Sequence, residues 1–288
     1  MCAARQLESE QPERDREFVF TDSDFYTIRD MVKDHSGIVL SEAKRNMVYS
    51  RLARRLRQLN LVDFKSYIER LASSPEEEMV NFINAITTNL TAFFRENHHF
   101  EYLSDTILPI LTKNNPNRRI RIWSAGCSTG EEPYSIAITL HKHVPRIDTW
   151  DIKILATDLD TNVLSRAQSG VYEDDRIAGV DNAIKDKYFQ SGGAANPGKV
   201  RVIQEARSLI TFKQLNLMNS WPMKGPFDVI FCRNVVIYFD KPTQKILFER
   251  YADLMVHDGH LFIGHSESLF KVTERFKLIG NTIYQRQR

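Results

Sequence analysis

Four stretches of the chain carry residue types suited to holding a small polar ligand. Ser124-Ala125-Gly126-Cys127-Ser128-Thr129-Gly130-Glu131-Glu132-Pro133 sets two glycines ahead of a pair of acids, a pattern that permits a tight turn and close backbone approach to a ligand. The run is not a GxGxxG, and Glu131 and Glu132 at a helix start would repel a pyrophosphate held on that N-terminus. Acids in that place suit a ligand carrying positive charge. Asp158, closing Ala156-Thr157-Asp158, is placed to accept both hydroxyl hydrogens of a ribose, while Asp160 is the better N-cap for the helix after it. Asn216-Leu217 and Arg233-Asn234 add polar ends to two later segments.

These residues act together only if secondary structure brings them to one edge. Apolar residues recur at helical spacing after the caps of Thr21-Asp22-Ser23-Asp24 (Phe25, Ile28, Val32), and further helices are predicted from about 41 to 59 and from 63 to 71. Ser73-Ser74-Pro75-Glu76 caps a fourth, with proline at its first position. No convincing strand precedes residue 118. After the turn cluster Asn114-Asn115-Pro116-Asn117, strands are predicted at 119–123, 152–158, 209–214, 227–232 and 260–264, with a terminal pair inside 276–285 turning at Gly280-Asn281. Helices are predicted over 133–143, 161–168 and 241–255. This alternation predicts a mostly parallel sheet covered on both faces, whose ligands bind outside the carboxyl ends of the strands. The expected organisation is a flexible tail (1–17), an N-terminal helical domain (18–90), a connecting segment (91–117) and an α/β domain (118–288). Within the last, about 170–208 carries a small β insertion with the strand-like Val200-Arg201-Val202-Ile203.

Composition narrows the class. With 39 Lys+Arg against 37 Asp+Glu, 42% hydrophobic and 26% charged residues, the chain has the balance of a soluble globular protein. No apolar run approaches the ~20 residues needed to cross a bilayer, and residues 5–17 offer no apolar signal-peptide core. Cys2, Cys127 and Cys232 form no CxxC pair, which argues for a reducing cytoplasm and against disulfides or a zinc knuckle. A glycine turn, a ribose acid and polar strand ends together point to an adenosine-type ligand lacking phosphates. S-adenosylmethionine fits: ribose and adenine for the polar ends, a sulfonium near the acids.

Thr88-Asn89-Leu90-Thr91-Ala92-Phe93-Phe94-Arg95-Glu96, the Ser124–Ser135 run, Cys232-Arg233-Asn234-Val235-Val236-Ile237-Tyr238-Phe239 and Gly264-His265-Ser266-Glu267-Ser268 resemble the CheR family of chemotaxis receptor glutamate O-methyltransferases. The resemblance covers nearly all the chain after the tail. It implies a Rossmann-like class I methyltransferase sheet with an N-terminal all-helical domain and a small antiparallel β insertion. It implies S-adenosylmethionine as cofactor, S-adenosylhomocysteine as product, and methyl esters on glutamates of membrane chemoreceptors, made in the cytoplasm at receptor clusters. By that resemblance Asn89, Thr91 and Arg95 close over the cofactor, and Ala125, Gly126 and Glu131 meet its amino-acid end. Asp158 takes the ribose, and Asn216, Leu217, Arg233 and Asn234 line the adenine and methionine portions. Tyr238 sits near the transferable methyl, opposite Arg95. Arg95 pairing Glu96 or Asp105, and Tyr238 packing beside Phe239, are the plain structural alternatives.

Two surfaces are candidates for choosing the substrate. Lys44, Arg45, Arg51, Arg54, Arg55 and Arg57 lie in one helix with no acid between 44 and 57, a face suited to an acidic helical stretch of a receptor. The same face is what a nucleic-acid methyltransferase would use, but the chain lacks an Asn/Asp-Pro-Pro-Tyr/Phe motif and does not interleave aromatics with its basic residues. No nucleic-acid partner is expected. The β insertion, with Gly192, Gly193 and the strand Val200, Arg201, Val202, could take a receptor's C-terminal peptide by strand addition, as in some members of the family. Gly264-His265-Ser266-Glu267-Ser268 lacks the fifth-position glycine and the later histidine of a hydrolase elbow, and no histidine cluster has metal-ligand partners, so no metal is expected.

Overall fold

The computed structural model describes residues 16–73, 75–113 and 115–287. Residues 1–15 of the expected tail, Cys2 among them, lie outside the described residues, as do Ser74 of the fourth helix's expected cap and Asn114 of the turn cluster. Two compact units emerge: the residues up to Asp30 with Ser41–Ile86, and Met31–Leu40 with Thr87–Arg288.

The first unit is helical, from α1 (Asp22–Ser36, whose last six residues belong to the second unit) through α2 (Arg45–Gln58), α3 (Phe64–Ser73) and α4 (Pro75–Ile86). Thr21 and Asp24 cap α1 reciprocally: the Thr21 amide donates to Asp24 Oδ2 (2.8 Å), and the Asp24 amide to Thr21 Oγ1 (3.1 Å). The apolar stripe of α2 (Val48, Leu52, Ala53, Leu56) is buried, as are Phe64, Tyr67 and Leu71 of α3 and Phe82, Ile83 and Ile86 of α4.

The basic face of α2 is narrower than the sequence predicts. Arg55 forks onto Glu78 of α4 (Nε to Oε1, 2.8 Å), and the Tyr67 hydroxyl donates to the same carboxylate at 2.9 Å. Burial works against the Glu78 charge, but Arg55 and Tyr67 prevail and hold its carboxyl below the usual range. Arg51 donates to the Ile86 carbonyl at 2.6 Å. The acid missing from α2 is supplied by another helix, which spacing along α2 cannot reveal; Arg55 and Arg51, expected at a partner, have these contacts within the fold. Arg57 pairs with Glu17 at 2.9 Å, Lys44 is half-buried in a 3-10 turn ahead of α2, and Arg54 is exposed.

The second unit opens with α5 (His98–Tyr102), a π-turn at Leu103–Ile107 and α6 (Leu108–Lys113). It continues as β1 (Arg119–Ala125), α7 (Glu131–His143), β2 (Asp151–Asp158), α8 (Thr161–Ser169), β3 (Val171–Glu173), α9 (Asn182–Tyr188), β4 (Phe189–Ser191), β5 (Lys199–Val202), α10 (Gln204–Ser208), β6 (Ile210–Gln214), β7 (Phe227–Cys232), α11 (Lys241–Asp253), β8 (Met255–Ile263), β9 (Phe276–Gly280) and β10 (Ile283–Arg286). Seven strands form one sheet in the order β6-β2-β1-β7-β8-β10-β9, parallel from β6 to β8 and antiparallel at β10 and β9. Period-two alternation sends Ile122, Val229, Phe231 and Phe262 into one core and Trp123, Ile230, Leu261 and Ile263 into the other, so both faces are covered. This is a Rossmann-like sheet.

The chain runs from β1 outward through β2 to β6, then crosses back to β7 on the opposite side of β1. Loops leaving β1 and β7 therefore diverge at a topological switch point, where open α/β sheets bind ligands. Among the described residues no helix is long and apolar enough to cross a membrane, and no group of three or more His, Cys, Asp or Glu is arranged to hold a metal ion. Cys127 and Cys232 are buried free thiols.

The insertion is a three-stranded antiparallel sheet in the order β3-β5-β4. The expected docking strand Val200–Ile203 is thus its middle strand. Its main chain bonds β3 on one side and β4 on the other, while Val200 and Val202 are buried and Arg201 is exposed. Strand addition at Val200, Arg201 and Val202 is excluded because both backbone edges are already paired; the outer strands are β3 and β4. Gly192 closes the β4–β5 connection by donating to the Lys199 carbonyl (2.7 Å), and Gly193 follows with φ of 56°.

Candidate active site

The turn after Ala125, at the end of β1, folds back on β2: the amides of Gly126 and Cys127 both donate to the Thr157 carbonyl, at 2.8 and 2.9 Å. Gly126 has φ of 87°, and a Cβ there would lie 2.4 Å from Val235 Cγ2; Gly130, at 97°, would put one 2.8 Å from Ala167 Cβ. Both positions therefore exclude side chains. Asp158, at the end of β2, accepts from the Ser128 amide (2.7 Å) and the Asp160 amide (3.0 Å). Burial outweighs those bonds and raises its carboxyl to about 6. The Leu215 amide donates to the Asp158 carbonyl at 2.9 Å, which brings the segment after β6 alongside. There Asn216 takes the Met218 amide (2.9 Å) and donates to the His35 carbonyl (2.6 Å), and Leu217 is buried.

Asp160 caps α8, accepting from the Asn162 amide at 2.9 Å, and its other oxygen receives Asn89 Nδ2 (2.8 Å) and the Thr87 hydroxyl (2.7 Å). Ser128 Oγ donates to the Asn89 carbonyl at 3.1 Å. The segment entering the sheet domain is thus tied to both the β1 and β2 loops.

Arg95 lies in a strained turn. Phe94 and Glu96 on either side have φ of 53° and 56°, a conformation costing about 1–3 kcal/mol at each such residue and kept where surrounding structure enforces it. Ser135 Oγ accepts the Phe94 amide at 2.9 Å. Glu96 meets His265 Nδ1 at 2.9 Å and Arg233 at 3.3 Å; against burial, these hold its carboxyl down to about 2. The Arg95 guanidinium donates to the Leu90 carbonyl (2.9 Å). Asp105 takes the Ser104 hydroxyl (2.7 Å) and Glu96 is engaged as described, so neither is the partner of Arg95.

Glu131, at the start of α7, is buried; Thr129 Oγ1 donates to it at 2.6 Å, and so does Arg176, from the 3-10 turn Asp174–Ile177 of the insertion. Arg176 also donates to the Thr91 carbonyl at 2.9 Å. Nothing in the spacing marks this arginine, because it reaches the rim from a separate sheet. Arg233, after β7, was expected to line the cofactor. Its guanidinium is buried on Glu132 (3.1 Å), Glu96 and the Arg95 carbonyl, while its Nε has no hydrogen-bond partner. Asn234 has φ of 59°, and its amide donates to Glu267 (2.9 Å), which also accepts the Gly264 (2.6 Å) and Ile237 (3.2 Å) amides. Glu267 thereby secures the loop leading to Tyr238, which is half-buried in the 3-10 turn Val236–Tyr238. The block Gly264-His265-Ser266-Glu267-Ser268 contained that anchor, but only the fold shows what it holds.

Asn89, Thr91, Arg95, Ala125, Gly126, Glu131, Asp158, Asn216, Leu217, Arg233, Asn234 and Tyr238 are therefore linked through hydrogen bonds and chain continuity around one rim. The family model described as CheR methyltransferase, SAM binding domain, matches residues 89–285, and that of the CheR methyltransferase all-alpha domain matches 23–87. The chain belongs to the CheR methyltransferase family. Chemotaxis protein methyltransferase 2 of Pseudomonas aeruginosa is 46% identical over 270 residues, covering 93% of this chain and 95% of the relative. The probable chemotaxis protein methyltransferase of Rhizobium etli is 44% identical, with 88% and 96% covered, and the chemotaxis protein methyltransferase of Escherichia coli is 42% identical, with 98% and 96% covered. This CheR chain is a methyltransferase of chemotaxis that uses S-adenosylmethionine, with the seven-stranded sheet in its cofactor-binding domain.

Proposed function

We propose that the protein methylates glutamate side chains on the helical cytoplasmic region of membrane chemoreceptors, working in the cytoplasm at receptor clusters and releasing S-adenosylhomocysteine. The observation that carries this reading is the setting of Arg95: a strained turn, held by Ser135, Arg233 and His265, presents a guanidinium that donates to a main-chain carbonyl rather than to a carboxylate. The rim suits the cofactor. Asp158 accepts main-chain N–H groups, and lone pairs remain for a ribose diol. Glu131, already held by Arg176 and Thr129, offers its remaining carboxylate lone pairs to the amino-acid end, and Asn216, Leu217 and Asn234 line the rest.

S-adenosylmethionine, when bound, supplies an electrophilic methyl group. A glutamate carboxylate, with an ordinary pKa of ~4.3, is already ionised at neutral pH, so no general base is needed. Its oxygen would take the methyl group that bound S-adenosylmethionine would supply, with sulfur keeping the carbon–sulfur electron pair, so the chain's residues need only align the two groups and exclude water. Arg95 orients the carboxylate through paired N–H bonds, with Tyr238 on the opposite side of the methyl. Proximity and orientation can contribute roughly 7–11 kcal/mol. Because the carboxylate's charge vanishes as the ester forms, Arg95 positions it without binding it tightly. Arg54 and the exposed rim of α2 suit an acidic helical target, and an outer strand of the insertion suits a receptor tail.

Incubating the protein with methyl-labelled S-adenosylmethionine and receptor-bearing membranes tests the reading. Label that alkali releases as methanol is expected, the mark of a carboxyl ester. Alkali-stable label, or label in nucleic acid, would overturn it.

A further inference from the structure

We propose that Arg233 is a positioning residue: it holds the Phe94–Glu96 turn in its left-handed form and so determines where Arg95 points. The proposal rests on the reading of Arg95 given above. The Arg233 side chain is 2% exposed and stands on two carboxylates, Glu132 at 3.1 Å and Glu96 at 3.3 Å. It also donates to the carbonyl of Arg95 itself. Two successive contacts thus fall on the residue between the two left-handed positions and on the second of those positions. The turn is also held by buried Ser135 on the Phe94 amide, by exposed His265 and buried His99 on the Glu96 carboxylate, and by main-chain bonds from the Arg95 amide to Ala92 and the His99 amide to Glu96. A backbone conformation this unfavourable persists only when its surroundings over-determine it. Arg233 adds to that constraint a buried cation that reaches both Glu96 and the Arg95 carbonyl.

The guanidinium is suited to the task because a planar fork can serve two carboxylates and a carbonyl at once, and its carbon lies over the Phe100 ring (5.7 Å to the centroid). An ammonium keeps the charge but not that geometry. Glu132 in turn is fixed by the Ser124 hydroxyl at 2.7 Å, so the constraint on Arg95 is anchored in β1 and α7.

The test compares Arg233→Lys, Arg95→Lys and the double variant, by steady-state methylation of receptor-bearing membranes and by calorimetry with S-adenosylhomocysteine. Arg233→Lys is expected to lower kcat about 10- to 100-fold while changing product affinity less than about threefold, and to add less than about twofold to the loss caused by Arg95→Lys. Amide hydrogen exchange across residues 93–97 is expected to quicken. Glu96→Gln, which weakens the same contact from the other side, should reproduce the pattern if the lysine variant does not fold. Product affinity falling in step with kcat, multiplicative losses, or unchanged exchange would each overturn the proposal. An Arg95→Lys enzyme with full kcat would instead sink the reading of Arg95, while exchange still decides what holds the turn.

Discussion

Asp158 combines two opposing influences in one side chain. Main-chain N–H groups from Ser128 and Asp160 favour its charge, yet burial raises its carboxyl to about 6. In the proposed complex a ribose diol would donate to the ionised form, so protons would compete with cofactor. Affinity for S-adenosylhomocysteine should therefore be full above pH ~6 and weaken by up to tenfold per unit below it, as the raised pKa requires. Asp158→Asn should cost about 2–3 kcal/mol of affinity and flatten that dependence. Calorimetry between pH 5 and 8 checks both; equal affinity and an unchanged profile in the variant would remove Asp158 from the site. The sequence offers Asp158 as a candidate because an acid closing a strand has a known use. It does not mark Arg176 or the anchoring role of Glu267, because their partners lie 45 and 33 residues away along the chain.

At the scale of elements, α2 and the insertion both show an apparent surface partly turned inward. Removing Arg55 leaves Glu78 buried without its partner, so Arg55→Ala should destabilise the protein by about 3 kcal/mol in urea unfolding. Exposed Arg54→Glu should leave stability within about 0.5 kcal/mol and product affinity unchanged, yet lower receptor methylation. Equal methylation by Arg54→Glu would take the α2 face out of substrate recognition. In the insertion, the Ile203 amide donates to Tyr188 and the Gly192 amide to Lys199, so ladder bonds fall on even-numbered residues of that strand. The Ser191 amide then points away from β5. Ser191→Pro should abolish capture of a receptor tail peptide while preserving cofactor affinity; capture at wild-type strength would move the tether off the β4 edge.

The molecule as a whole carries an acid-sensitive element in His99. Burial, aided by Arg233, lowers its pKa to about 3, so the folded chain keeps the ring neutral while the unfolded chain protonates it near 6.5. Stability from this group is full above pH ~6.5 and is lost as pH falls toward 3, by about 1.4 kcal/mol per unit. The stability gap between the wild type and His99→Gln should shrink by that slope between pH 6 and 4 in urea titrations. Parallel curves would show that His99 titrates normally in the fold.

What the sequence determined by itself is what depends on neighbours along the chain. Capping residues mark α1, apolar spacing marks α1 and α2, an alternating run marks β1 and a continuous apolar run β7, and the glycine turn and Asp158 mark candidate ligand contacts at strand ends. The tertiary structure decided which side chains remain for outside partners. Arg55 met an acid from α4, Arg233 was buried between Glu96 and Glu132, and the strand at Val200 became the middle one of three. The physical reason is that charge pairing and strand pairing are satisfied across space. A residue's type and spacing state what it can bind, and only the packed chain states whether that capacity has already been used.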